Sequence, residues 1–141
     1  MILVDTSVWI DHLRKPETKL QDMLLNDEVV THLFVRLELA LGSIARRDQV
    51  LADLALLPHA PVAATEELFE LLELRRLYRR GIGITDLHLV ASAVFDKSIS
   101  IWTRDRRLAE IAEELGVRAA IPKRPVMASF STLTHTSHFL D

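Results

Sequence analysis

The sequence of 141 residues contains no cysteine, so disulfide bonds and thiolate metal sites are excluded. This absence also fits a reducing cytoplasm. Aromatic residues make up only 6% of the chain, whereas leucine and alanine are abundant. Such a composition favours helices packed around a modest sheet, and the length favours one domain.

The net charge is small, and long apolar stretches are scarce. The net charge is −3, so the molecule as a whole does not attract nucleic acid. No apolar stretch approaches the ~20 residues that cross a bilayer, and the first residues lack the basic and apolar regions of a signal peptide. We therefore expect a cytoplasmic protein without membrane association. A polyanion would have to be bound locally, by clustered arginines or through cations.

Short apolar runs such as "ILV", "EVV" and "ISIW" alternate with amphipathic segments. This pattern predicts an α/β fold with a small central parallel sheet and helices on both sides. The segment "VRAAI" is interpreted as a last strand. Residues after about Pro122 lack sustained periodicity, so we expect a domain over residues 1–121 and an extended or partly mobile C-terminal extension over residues 122–141.

The segment "TEELFELLELRRLYRRG" predicts one long helix. Thr65 can cap its N-terminus, and the acids Glu66 and Glu67 suit the positive end of the helix dipole. The Arg79–Arg80 pair suits the negative end, and Gly81 would terminate the helix.

Four acidic side chains occupy positions that need an explanation. Asp5 and Asp105 each follow a predicted strand and precede a helix, where an acid can cap the helix N-terminus. Asp86 lies in the first turn of a helix, where the dipole favours an acid. Glu38, within "VRLELAL", could face water. Each position taken alone can therefore be explained without a ligand.

Taken together, the four positions predict a metal site. The carboxyl ends of parallel strands meet at one edge of an α/β sheet, and ligands bind there. Four carboxylates at that edge would repel one another unless a cation lies between them. Oxygen ligands without cysteine or a suitable histidine pair select hard ions, Mg²⁺ or Mn²⁺. Because Mg²⁺ is typically shared between carboxylates and a substrate phosphate, a phosphoryl substrate is expected.

Four segments resemble the acidic blocks of the PIN-domain ribonucleases, in particular the VapC-type toxins of toxin–antitoxin pairs. They are "ILVDTSVWID", "LELALG", "GITDLHLVASA" and "IWTRDRRL", which follow the family's order. The resemblance implies a PIN-like three-layer fold. It implies catalytic and metal-binding roles for Asp5, Glu38, Asp86 and Asp105, and supporting hydroxyls at Thr6, Ser7 and Thr103. Leu108 replaces an aromatic residue of many members, which we interpret as a packing change.

The expected activity is hydrolysis of an RNA phosphodiester by a water that Mg²⁺, or Mn²⁺, activates. The resemblance implies endonucleolytic cleavage that leaves a 5′-phosphate and a 3′-hydroxyl, a homodimer, and a small cognate antitoxin as partner. The arginines near Asp105 are candidates for binding RNA, because arginine forms bidentate bonds with phosphate, although each could be a solvated surface residue. These candidates are Arg104, Arg106 and Arg107.

Two other functions fit part of the pattern. A different metal-dependent phosphoryl hydrolase, such as a haloacid-dehalogenase-like phosphatase, would use the first aspartate as a nucleophile. That class needs a second aspartate two residues later, where this chain has Ser7. A non-catalytic module that binds RNA or protein would use the acids only as caps, and neutralising each would cost about 1 kcal/mol of stability.

Overall fold

The computed structural model describes residues 1–121. Over these residues the chain forms three strands and seven helices. The strands are β1 (Ile2–Val4), β2 (Val29–Val30) and β3 (Ser100–Trp102). The helices are α1 (Thr6–Arg14), α2 (Thr18–Leu25), α3 (Leu33–Leu41), α4 (Arg47–Ala55), α5 (Thr65–Leu74), α6 (Ile84–Phe95) and α7 (Arg106–Glu114). The predicted C-terminal extension lies outside the described residues.

The strands form a parallel sheet in the order β2-β1-β3. Leu3, Val4 and Ile101 are fully buried. Their burial explains why the strands are continuous apolar runs, since helices cover both faces of a parallel sheet. The carboxyl ends of β1 and β3 lie side by side, because Asp5 N donates to Trp102 O at 2.9 Å. The predicted α/β architecture is confirmed.

Helix α6 lies in the interior, with eight of its twelve residues buried. It contacts α3, α5 and β3, while α7 also packs on β3 and α1 packs on α3. Fully buried leucine and isoleucine side chains, among them Leu89, Leu108 and Ile111, fix these helices in place. The helices that carry Glu38 and Asp86, and the one that follows Asp105, are therefore anchored in one core. None of the helices within residues 1–121 is long and apolar enough to span a membrane.

The prediction of one helix up to Arg80 was wrong, because α5 ends at Leu74. Arg76 has a left-handed backbone with φ of 53°. Leu77 N donates to Leu72 O at 3.0 Å, which is the hydrogen bond that closes a Schellman turn. Leu77 is buried. The turn, and not a continued helix, therefore brings this apolar residue into the core.

Two smaller predictions were also wrong. Ala64, and not Thr65, is the N-cap residue of α5, and Glu67 Oε1 accepts a hydrogen bond from its N–H at 2.8 Å. The segment "VRAAI" does not form a strand, because it pairs with β3 at one position only, through a bridge between Ile101 and Arg118.

Candidate active site

Asp5 lies between β1 and α1, at the N-cap position of that helix, yet its side chain makes no capping hydrogen bond. Instead, Oδ2 accepts hydrogen bonds from Ser7 Oγ at 2.8 Å and from Thr103 Oγ1 at 2.7 Å. The residue is only 5% exposed. A nearly buried carboxylate is therefore held by two hydroxyls, so the explanation of Asp5 as a helix cap does not hold for its side chain.

The same hydroxyls bind the backbone of the β3–α7 loop (residues 103–105). Arg104 N donates to Ser7 Oγ at 3.0 Å, and Asp105 N donates to Thr103 Oγ1 at 3.0 Å. Each hydroxyl accepts a hydrogen bond from a loop N–H and donates its own proton to Asp5. Every donor in this network therefore points towards the Asp5 carboxylate. Outer hydrogen bonds of this kind orient carboxylates that ligate metals.

Glu38 lies on α3, and its side chain accepts a hydrogen bond from Thr6 at the start of α1. Thr6 Oγ1 donates to Glu38 Oε1 at 2.6 Å, and Glu38 is otherwise exposed. Because Thr6 directly follows Asp5 in the chain, this bond places the Glu38 carboxylate close to the end of β1. Each of the three predicted hydroxyls thus donates a hydrogen bond to a predicted acid: Thr6 to Glu38, and Ser7 and Thr103 to Asp5.

The start of α3 is fixed by His32, a residue that the sequence did not single out. Its Nδ1 accepts a hydrogen bond from Phe34 N at 2.9 Å. Burial, followed by the charges of His88 and His59, lowers the pKa of His32 to about 4. The neutral imidazole therefore caps the helix that carries Glu38. Histidine is not among the usual capping residues, so the sequence offered no signal for this role.

Asp86 lies in the first turn of α6, where Gly83 N donates to its Oδ2 at 3.4 Å. Burial raises the pKa of Asp86, the Gly83 hydrogen bond opposes this shift, and the charges of Asp5, Asp105 and Glu38 add to it, so that the pKa is about 6. All three other predicted acids thus act electrostatically on Asp86. The fold brings the four carboxylates into one region, the acidic pocket (Asp5, Glu38, Asp86 and Asp105).

Asp105 differs from Asp5, because it does cap the helix that follows it. Its Oδ1 accepts hydrogen bonds from Arg107 N at 2.9 Å and Leu108 N at 3.0 Å at the start of α7. Only its other oxygen, Oδ2, is free of hydrogen bonds to residues 1–121. Asp105 is therefore a member of the acidic pocket that also caps a helix, and Leu108 behind it is fully buried.

The donor set of the acidic pocket suits a hard divalent cation, since it consists of carboxylate oxygens with hydroxyls behind them. As the side chains stand, no three His, Asp or Glu residues within 1–121 form a group that could hold a metal ion. A cation here would reach some of the carboxylates through water, as the strong hydration of Mg²⁺ allows.

The three candidate arginines have different surroundings. Arg104 forms ion pairs with Asp11 at 2.6 Å and Glu17 at 2.7 Å. The Arg106 side chain is 90% exposed and lies 3.8 Å from Glu110. Arg107 Nη1 donates to Gly81 O at 3.4 Å. A groove of about 570 Å³ beside Asp105 is lined by Arg80, Asp105, Arg106, Arg107 and Glu110. Arg106 and Arg107 thus face a groove, whereas Arg104 is bound to two carboxylates.

The family model of the PIN domain matches residues 2–114. The chain is 47% identical over 120 residues to "Ribonuclease VapC32" of Mycobacterium tuberculosis (strain H37Rv), covering 85% of this chain and 97% of that protein. The protein of the same name from M. tuberculosis strain CDC 1551 matches over the same lengths with the same identity.

The chain belongs to the PIN-domain family. Within that family it is of the VapC type, as the likeness to the M. tuberculosis proteins indicates. The predicted family and the PIN-like fold class are both confirmed.

Proposed function

We propose that this protein is a metal-dependent endoribonuclease and the toxin of a toxin–antitoxin pair. The proposal is supported by membership of the PIN-domain family and by the similarity to proteins named ribonucleases. The observation that carries it is the hydrogen bonding of Asp5. A nearly buried carboxylate that leaves its own helix uncapped, and that two hydroxyls hold beside other acids, suits the binding of a cation.

In this proposal Asp5, Glu38, Asp86 and Asp105 hold Mg²⁺ or Mn²⁺, directly or through water. When bound, the ion supplies a Lewis acid that polarises the phosphate and lowers the pKa of water. Ser7 and Thr103 fix the rotamer of Asp5, and Thr6 fixes that of Glu38. Asp86 retains a proton below about pH 6 without a cation, and a bound cation favours its ionised form.

The substrate in this proposal is RNA, although the net charge of −3 does not attract it. Arg106 and Arg107 line the groove next to Asp105, where guanidinium groups would bind phosphates on either side of the cleaved bond. The alternative of a phosphatase with an aspartate nucleophile is less compatible, since Oδ2 of Asp5 is engaged by two hydroxyls and Ser7 stands where that class requires an acid.

The test is cleavage of total RNA by the purified protein. We expect cleavage with Mg²⁺ or Mn²⁺, its loss with excess chelator, and its recovery when the cation is restored. The products should carry 5′-phosphates, which a 5′-phosphate-dependent exonuclease would then degrade. Cleavage that persists in chelator after dialysis would exclude the metal-dependent mechanism, and absence of cleavage with every divalent cation would exclude the nuclease.

The proposed partner is a small antitoxin protein, and a groove beside Glu38 fits such a partner. It has a volume of about 390 Å³. Its lining includes Ile10 and Leu13 of α1 and Leu39 and Ile44 around α3, together with Glu38 itself. A protein segment bound there would cover one of the proposed metal ligands. Growth arrest upon expression, relieved by an adjacent small reading frame, would support the toxin assignment.

We also propose that the protein forms a homodimer through the exposed face of α3. Leu37 and Leu41 are 48% and 87% exposed, although they are apolar residues one turn apart. Leu41→Glu is therefore expected to shift the protein from dimer to monomer in sedimentation velocity, because burying a charge costs several kcal/mol. Leu56→Glu, at a leucine that is 85% exposed elsewhere, is the matched control. A wild-type protein that sediments as a monomer would refute the dimer.

A further inference from the structure

The side chain of Arg104 is bound by two carboxylates that lie far from it in the chain. Its Nη1 donates to Asp11 Oδ2 at 2.6 Å, and its Nη2 donates to Glu17 Oε2 at 2.7 Å. The guanidinium carbon lies 5.8 Å from the centroid of the Trp102 ring, within the range of a cation–π contact. The side chain thus connects the β3–α7 loop to α1 and to the linker before α2.

The partners of Arg104 are themselves held in place. Asp11 lies within α1. Glu17 is fixed through its backbone, because Glu17 N donates to Nδ1 of the buried His12 at 3.0 Å. An RNA phosphate would have to displace two carboxylates from this guanidinium. The two ion pairs also raise the pKa of Arg104, so the side chain remains charged. These contacts argue against the expectation that Arg104 binds substrate.

The backbone of the same residue is part of the network around Asp5. Arg104 N donates to Ser7 Oγ. The preceding residue, Thr103, donates its hydroxyl proton to Asp5, and the following residue, Asp105, caps α7. The conformation of residue 104 therefore determines whether the Thr103 hydroxyl reaches the Asp5 carboxylate and whether the loop backbone reaches the Ser7 hydroxyl. A displacement of the loop would release the Thr103–Asp5 and Arg104–Ser7 hydrogen bonds at once.

We propose that Arg104 is a positioning residue: it clamps the β3–α7 loop onto Asp11 and Glu17, and so holds Thr103 on the Asp5 carboxylate and its own N–H on the Ser7 hydroxyl that binds the same carboxylate. This inference rests on the proposed function of the acidic pocket. It assigns Asp11 and Glu17 to the same clamp, although neither is among the four acids that the sequence predicts as metal ligands. The clamp acts on the geometry of the proposed metal ligand and makes no contact with RNA.

Stability alone would not reveal the clamp. The side chains of Arg104, Asp11 and Glu17 are 36%, 48% and 27% exposed, and ion pairs at such positions contribute little to the free energy of unfolding. Loss of hydrogen bonds that orient a metal ligand, in contrast, typically lowers activity or metal affinity about 10–100-fold. Activity and metal dependence are therefore expected to change far more than the melting temperature.

The experiment compares the full-length wild type with Arg104→Gln, with the double variant Asp11→Ala/Glu17→Ala, which removes both acceptors of the guanidinium, and with the triple variant. Cleavage of a short RNA that the wild type cuts gives kcat, KM and the Mg²⁺ concentration for half-maximal rate. We expect Arg104→Gln to lower kcat about 10–100-fold and to raise the Mg²⁺ requirement, with KM changed less than about threefold. The double variant should show the same changes in kcat and Mg²⁺ requirement as Arg104→Gln, although it keeps the arginine. The kcat of the triple variant should be no lower than that of either, because all three residues act through one contact.

Arg118→Gln is the control, since the ion pair that Arg118 forms within residues 1–121 is with Glu113, at 3.7 Å, and involves none of the four acids of the acidic pocket. A rise in KM for Arg104→Gln, with normal kinetics for the double variant, would mean that Arg104 binds RNA and would overturn the proposal. A lower melting temperature of Arg104→Gln at unchanged kcat would also overturn the proposal, because Arg104 would then act on stability alone. If the wild type cuts no RNA, the proposed function fails; calorimetric titration with Mg²⁺ then decides the clamp, which predicts weaker binding in Arg104→Gln.

Discussion

Replacing Asp5 by Asn is expected to lower metal-dependent RNA cleavage by at least about 100-fold without loss of stability. Loss of an outer hydrogen bond at a metal site costs about 10–100-fold, so loss of a ligand charge should cost no less. The Asn Oδ1 can still accept hydrogen bonds from Ser7 and Thr103, so the fold is kept. Removing one charge beside Asp86 also reduces repulsion, and the metal-free variant should melt at the same temperature or higher.

The alternative of a capping acid makes the opposite prediction for this variant. Asn caps a helix about as well as Asp, so a capping role would leave both the stability and the cleavage activity of this variant near the wild-type values. Asp48→Asn is the matched control, since Asp48 lies in the first turn of α4 with a fully exposed side chain. Cleavage rates and thermal melts of both variants, measured with Mg²⁺ and with chelator, separate the two explanations. Wild-type cleavage by Asp5→Asn would disprove a catalytic role for the acidic pocket.

The second large effect is a pH dependence of Mg²⁺ binding that originates at Asp86. With a pKa of about 6, Asp86 is ionised in roughly a tenth of the molecules at pH 5 and in nine tenths at pH 7. Because the cation requires the ionised form, the apparent Mg²⁺ affinity should be about tenfold weaker at pH 5 than at pH 7. Calorimetric titration at both values measures this ratio. A ratio near one would show that Asp86 does not ligate the ion.

The metal-free protein provides the complementary measurement. The pKa of Asp86 is raised above that of the unfolded chain, so the native state binds more protons between about pH 4 and pH 6. Its contribution to the free energy of unfolding is fully present below pH 4 and is lost as pH rises through 6. The lowered pKa of His32 acts oppositely, since its contribution is present above pH 6.5 and is lost as pH falls towards 4. The difference in the free energy of unfolding between the wild type and Asp86→Asn, measured across this pH range, isolates the contribution of Asp86.

The sequence was sufficient to predict the parts of the site whose positions follow from the local pattern of apolar and polar residues. Apolar runs predicted β1 and β3, and parallel pairing brings their carboxyl ends together, so Asp5 and Thr103 become neighbours. Sequence could not distinguish the two strand-terminal acids from each other. Asp105 caps its helix and Asp5 does not, because only Asp5 has hydroxyl partners from two segments.

Other features depend on contacts between distant residues, which no local pattern encodes. Arg104 resembles a phosphate-binding arginine by its position beside Asp105, yet its partners lie 93 and 87 residues away in the chain. The end of α5 was missed because Leu77 continues the helical spacing but reaches the core through a turn at Arg76. His32 was missed because its role as a cap depends on being buried and neutral.

The most direct measurement is the position of Mn²⁺ in crystals of the wild type, found from its anomalous scattering. We predict at least one Mn²⁺ that is coordinated by Asp5 and bound, directly or through water, by two or more of Glu38, Asp86 and Asp105. Mn²⁺ bound only elsewhere, or none near Asp5 at a concentration that supports cleavage in solution, would contradict a shared cation site at the carboxyl ends of β1 and β3.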